Sequence, residues 1–128
     1  MKIILIGAGG TIGSAVAREL EQRHEVIRVG RNSGDLQADI SDSASIRRLF
    51  EQTGRFDALV CAAGNVVFAP LDELDEQGVA LGLNDKLMGQ VNLLLIGREF
   101  INDGGSFTFT TGVTSHDPIR TGTSASLV

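Results

Sequence analysis

The sequence predicts an α/β fold built on a doubly wound parallel sheet. Three observations carry the prediction: apolar runs that stop on glycine, helical segments with one apolar face, and alternation of the two along the chain. Strands joined through helices pair in parallel by right-handed crossovers, and a sheet of this kind takes its ligand at the carboxyl ends of its strands.

The first strand is Lys2-Ile3-Ile4-Leu5-Ile6, a continuous aliphatic run of the sort buried on both faces. Ile12, Val16 and Leu20 recur every four residues within Thr11 to Arg23, which predicts a helix lying on one face of the sheet. Glu25 to Val29 is a second strand closed by the turn formers Gly30 to Gly34, and a short third strand precedes Asp39-Ile40. Asp42 or Ser43 can cap a helix that aligns Ile46, Leu49, Phe50 and Thr53. Phe56 to Gly64 is another buried strand running into glycine. The acidic stretch Asp72 to Glu76 is expected to open a helical region, since carboxylates suit a helix N-terminus. That region is expected to break near Asn84, continue over Lys86 to Ile101, and turn at Gly104-Gly105 into a strand over Ser106 to Thr111.

Composition narrows the function classes. The chain has 128 residues, 42% of them hydrophobic, enough for one ordinary core. A net charge of −5 argues against nucleic acid or an acidic membrane surface as partner. The single cysteine, Cys61, lies in an apolar run and reads as a buried reduced thiol, which suits a cytoplasmic protein. The first apolar run is too short for a signal peptide or a membrane span. No metal site is expected.

The chemistry is concentrated after the first strand. Gly7, Gly10 and Gly13 recur at three-residue spacing in Gly7-Ala8-Gly9-Gly10-Thr11-Ile12-Gly13. Glycine there lets backbone turn, approach a pyrophosphate and pack the helix on the strand, so the loop marks a Rossmann-type dinucleotide site. The second strand ends at Gly30-Arg31-Asn32, where an NAD site would carry a carboxylate for the ribose hydroxyls. An arginine there pairs instead with a 2′-phosphate, so NADP is favoured over NAD. FAD or a nucleotide sugar is less favoured for the same reason.

With these residues in view, the chain resembles the short-chain dehydrogenase/reductase family, in particular its small, divergent bacterial members. The glycine loop, Asp39-Ile40, Cys61-Ala62-Ala63-Gly64 in place of the family's Asn-Asn-Ala-Gly, and Gly104-Gly105-Ser106 fall in family order. The resemblance implies that Gly7, Gly9, Gly10, Thr11, Ile12 and Gly13 hold the pyrophosphate and that Arg31 and Asn32 face the adenosine ribose. It further implies adenine contacts from Asp39 and Ile40, a ribose wall from Ala62, Ala63 and Gly64, and Thr111 at the family's catalytic serine region. Residues 1–128 are thus expected to form a single NAD(P)-binding Rossmann domain, C-terminally truncated relative to the family and leaving its last strand as an open edge. Homodimers or homotetramers are the family expectation.

The departures concern the proton. Family catalysis uses a tyrosine and, four residues on, a lysine, whereas this chain has no tyrosine and carries Thr123 and Leu127 at those places. Lys86 holds the place of the family's helix asparagine. A threonine hydroxyl titrates too high to serve alone as general acid, so Lys86 and His116 join Thr111 and Thr123 as candidates. Two functions follow: an NADP-dependent oxidoreductase moving hydride to or from a small carbonyl or alcohol, or a catalytically inactive dinucleotide-binding sensor or scaffold. The enzyme is placed ahead by analogy with the family.

Overall fold

The computed structural model describes residues 1–128 and shows a five-stranded, all-parallel sheet in the order β3-β2-β1-β4-β5. Its strands are β1 (Lys2–Ile6), β2 (Glu25–Gly30), β3 (Leu36–Gln37), β4 (Phe56–Cys61) and β5 (Ile101–Phe109). Its helices are α1 (Thr11–Leu20), α2 (Ser43–Thr53), α3 (Glu76–Gly82), α4 (Met88–Gly97) and α5 (Thr123–Ser126), with a π-helical turn at Leu83–Leu87 joining α3 to α4. This is the doubly wound Rossmann arrangement that the alternation of elements predicts.

β1 lies at the centre, with Ile3 to Ile6 all buried, so it feeds both faces. On one face Ile4 and Ile6 join Val29, Leu59, Cys61, Leu93 and the α2 residues Ile46, Leu49 and Phe50 in a twelve-residue core. On the other, Leu5 packs with Ala8 and Ala17 of the glycine loop and α1. The four residues aligned on α2 are all buried, and Asp42 caps that helix by accepting from the Ala44 N–H at 2.9 Å. No helix is long and apolar enough to cross a membrane.

Several boundaries differ from the sequence reading. α1 ends at Leu20, three residues before Arg23, and His24 N–H returns to the Leu20 carbonyl. α3 begins at Glu76, because Asp75 caps it by accepting from the Gly78 N–H at 2.8 Å; the acidic residues before it form a turn after Pro70. Helix α4 stops at Gly97, and β5 starts at Ile101, before Gly104-Gly105. Those glycines sit in a bulge: Phe56 pairs with Ile101 and Ala58 already with Ser106. Gly105 is required there, since a Cβ would lie 2.6 Å from the Asp57 carbonyl oxygen.

Asp57 ties this bulge to the start of β1. One carboxylate oxygen accepts from Asn102 Nδ2 at 2.8 Å and the other from the Lys2 N–H at 2.7 Å. These bonds, the Asn102 amide foremost, hold the Asp57 carboxyl below the usual carboxylate range. A depressed carboxyl stabilises the fold above its unfolded pKa, about 4, and loses that contribution as pH falls. Asp57→Ala is therefore expected to lower Tm at pH 7 and to flatten its decline on acidification. Parallel Tm-against-pH profiles for variant and wild type would contradict this role.

Candidate functional site

A cleft of about 320 Å³ opens over the carboxyl ends of the strands. Its wall follows directly from the topology. Ile6, Gly7 and Gly10 come from the end of β1, Gly30 and Arg31 from β2, Ala38 and Ile40 from β3, and Ala62 to Asn65 from β4. Asp85, on the π-helical turn, closes the side.

The glycine loop is shaped by backbone contact. Gly7 has φ +82°, and a Cβ on it would stand 2.7 Å from the Ala62 carbonyl oxygen. A Cβ on Gly13 would stand 2.0 Å from the Gly7 carbonyl oxygen, so α1 presses on the loop as closely as backbone allows. Gly10 is the N-cap of α1 and no side chain caps its first turn, which leaves those N–H groups without a side-chain acceptor. Glycine-backed cleft wall, apolar floor of Ala38, Ile40, Ala62 and Ala63, and uncapped helix together fit a dinucleotide.

Of the residues named from sequence, Gly7, Gly10, Arg31, Ile40, Ala62, Ala63 and Gly64 line the cleft. Gly9, Thr11, Ile12, Asn32 and Asp39 stand outside its lining, with Ile12 62% exposed, while Gly13 is buried beneath the loop. Ile6, Gly30, Ala38, Asn65 and Asp85 line it without having been singled out. For the strand-end residues the signal was available, since each adjoins a strand that the sequence predicts. Asp85 carries no such signal.

Arg31 crosses toward Asp85. Its Nη2 donates to Asp85 Oδ2 at 3.2 Å and lies 3.5 Å from Asp39 Oδ1. Asn65 Nδ2 donates to the same Asp85 oxygen at 2.6 Å. Asp39 is held in turn by Ser41, whose hydroxyl and N–H donate to Oδ1 at 2.6 and 2.9 Å. Those bonds, the hydroxyl foremost and with help from Arg31, keep the Asp39 carboxyl below its ordinary range. The absence of an acid at the end of β2 is thus offset in space by two carboxylates from elsewhere in the chain.

The candidate proton donors come from four different segments of the chain. Lys86 runs against Gly64: a Cβ at that glycine, whose φ is +126°, would meet Lys86 Cγ at 2.8 Å. Thr111 follows β5 and is exposed, and His116 is exposed in the turn that its N–H closes on the Val113 carbonyl. Thr123 opens α5, which docks on α3 through the adjacent Ser124. Cys61 is fully buried beneath the cleft, where burial pushes its thiol up, against the weaker pull of the Ala63 backbone and of Lys86.

Comparison with known proteins accords with this geometry. Residues 3–100 match the NAD dependent epimerase/dehydratase family. A crystal structure of a Listeria innocua protein shares 50% identity and a TM-score of 0.97, covering 99% of this chain and 64% of that one. A small-chain dehydrogenase solved in complex with NADPH shares 26% identity and a TM-score of 0.90, over 99% of this chain and 57% of its own. A short-chain dehydrogenase/reductase of Pestalotiopsis microspora is 27% identical over 139 aligned residues, 90% of this chain and 52% of its own. The chain thus spans between half and two thirds of these relatives. By the family match over residues 3–100, it belongs to the NAD dependent epimerase/dehydratase family, and together with these dehydrogenase relatives that match makes it a divergent short-chain dehydrogenase/reductase.

Proposed function

We propose that this chain is the cofactor-binding part of an NADP-dependent oxidoreductase of short-chain dehydrogenase type, acting on a small carbonyl or alcohol. The observation that carries the reading is the glycine-walled cleft at the strand ends with Arg31 at its β2 side. Gly7, Gly9 and Gly10 would admit the pyrophosphate, with N–H groups of Thr11, Ile12 and Gly13 at the uncapped start of α1. Asp39 and Ile40 would take the adenine, Arg31 and Asn32 the ribose 2′-phosphate, and Ala62 to Gly64 the ribose wall. The NADPH complex of a relative 26% identical supports the choice of cofactor.

Bound there, the nicotinamide supplies or accepts a hydride at the substrate carbon. The chain's own part is to hold a proton for the substrate oxygen. Among Thr111, Lys86, His116 and Thr123, Lys86 is favoured because its side chain runs along Gly64, which lines the cleft. An ammonium there can release a proton to a developing alkoxide and recover it from solvent. A homodimer or homotetramer accords with the exposed apolar residues Leu83, Leu87, Met88, Leu94 and Leu95 around α4. A cytoplasmic setting accords with the single free cysteine.

Fluorescence titration tests the reading directly. NADPH should bind with a micromolar or lower Kd and more tightly than NADH; binding of neither would sink it. NADPH binding without turnover of any aldehyde or ketone by the full-length protein would favour the inactive sensor or scaffold instead.

A further inference from the structure

Asp85 is the one charged group of the cleft that the proposed function leaves without a task. It sits on the π-helical turn and is only 5% exposed. Its Oδ2 takes both available donors, Asn65 and Arg31, while its buried Oδ1 has no hydrogen-bond partner. Arg31, its sole cationic partner, is half exposed, and the nitrogen that it offers Asp85 is also the one nearest Asp39.

Resting on the NADP reading above, we propose that Asp85 is a specificity-determining residue, an internal rival that occupies the guanidinium a 2′-phosphate needs. A phosphate and a carboxylate ask for the same planar pair of N–H donors. To serve the phosphate, Arg31 has to leave Asp85. A buried carboxylate deprived of its only cation keeps one amide donor on Oδ2 and nothing on Oδ1, which is costly. If Arg31 instead stays on Asp85, the phosphate is left without its guanidinium and faces the carboxylate across low-dielectric surroundings. Either way the cost falls on NADP and spares NAD, whose ribose hydroxyl asks nothing of Arg31. Intrinsic preference for the 2′-phosphate is thereby reduced by the fraction of molecules in which Arg31 is free.

The π-helical turn explains how an acid reaches this place. Residues 83–87 step out of α-helical register, and that widened turn carries Asp85 to the cleft wall. Asn65 then fixes the carboxylate from the β4 side. Both hydrogen bonds of Asp85 go to Arg31 and Asn65, so its direct polar contacts lie with the arginine that the 2′-phosphate needs.

The test compares Asp85→Asn with wild type, titrating NADPH, NADH and the fragments 2′,5′-ADP and 5′-AMP. The neutral amide keeps the shape and releases Arg31. The ratio of the NADH to the NADPH dissociation constant is expected to rise about tenfold, and the 5′-AMP to 2′,5′-ADP ratio with it. Asp85→Ser, smaller and also neutral, is expected to shift both ratios in the same direction, and circular dichroism verifies that each variant folds. Ratios unchanged or lowered in a folded variant overturn the role of Asp85, while wild-type binding of NADPH leaves the NADP reading standing. A wild type that binds neither NADPH nor 2′,5′-ADP overturns both.

Discussion

Gly13→Ala is expected to destroy the cofactor site and to destabilise the fold by about 3 kcal/mol or more, at the upper end of overpacking costs. The reason is the identity of the atoms in the way. The added methyl would meet the Gly7 carbonyl oxygen at 2.0 Å, the Gly7 carbonyl carbon at 2.7 Å and Ala8 Cα at 2.9 Å. All three are backbone, and Gly7 is itself pinned by its N–H on the Val29 carbonyl at 2.8 Å. Neither partner can swing aside as a side chain would, so α1 must lift from β1, taking Ala17 out of its contact with Leu5. Gly9→Ala is the matched control, because its Cβ would approach only the Ser33 hydroxyl at 3.3 Å. Thermal unfolding followed by circular dichroism should show a large Tm drop for the first variant and a small one for the second. Equal Tm values would mean that the close approach of α1 to the loop has been misjudged.

Arg31→Ala is expected to weaken NADPH binding by roughly 10- to 100-fold, the range of a lost charge-assisted contact, and NADH by much less. The variant has a second consequence that separates the two roles of this side chain. Removing the guanidinium strands the Asp85 carboxylate, so stability to urea should fall even without cofactor. Adding Asp85→Asn to Arg31→Ala should restore most of that loss, a non-additivity expected only of direct partners. NADPH and NADH weakened to the same degree would remove the 2′-phosphate from Arg31.

Much of the architecture was legible because it rests on local rules. β1 and β4 show as apolar runs ending at glycine, and α2 shows its buried stripe and its Asp42 cap together. The glycine loop was legible for the same reason: its spacing and its position between strand and helix are both local. What escaped was set by contacts distant in sequence. β5 begins at Ile101 because Phe56 pairs with it, and Gly104-Gly105, which look like a turn, are a bulge stitched by Asp57. Asp85 stands between Asn84 and Lys86, where the sequence shows only a break in a helical region; the π-helical turn and Asn65 reveal it as a buried wall of the cleft. Likewise Arg31 looked free of carboxylates, although Asp39 and Asp85, 8 and 54 residues further on, both reach it.

The central place of β1 also bears on how the chain is born. Synthesis delivers Ile3 to Ile6 before either neighbour: β2 is complete only with Gly30 and β4 only with Cys61. Until β2 is complete the nascent chain carries a short, uncharged, aliphatic segment with both edges unpaired, and until β4 is complete one edge stays open; a segment of this kind readily recruits a foreign strand. The strand order itself thus sets how long each edge of this segment stays open: one until Gly30 and the other until Cys61.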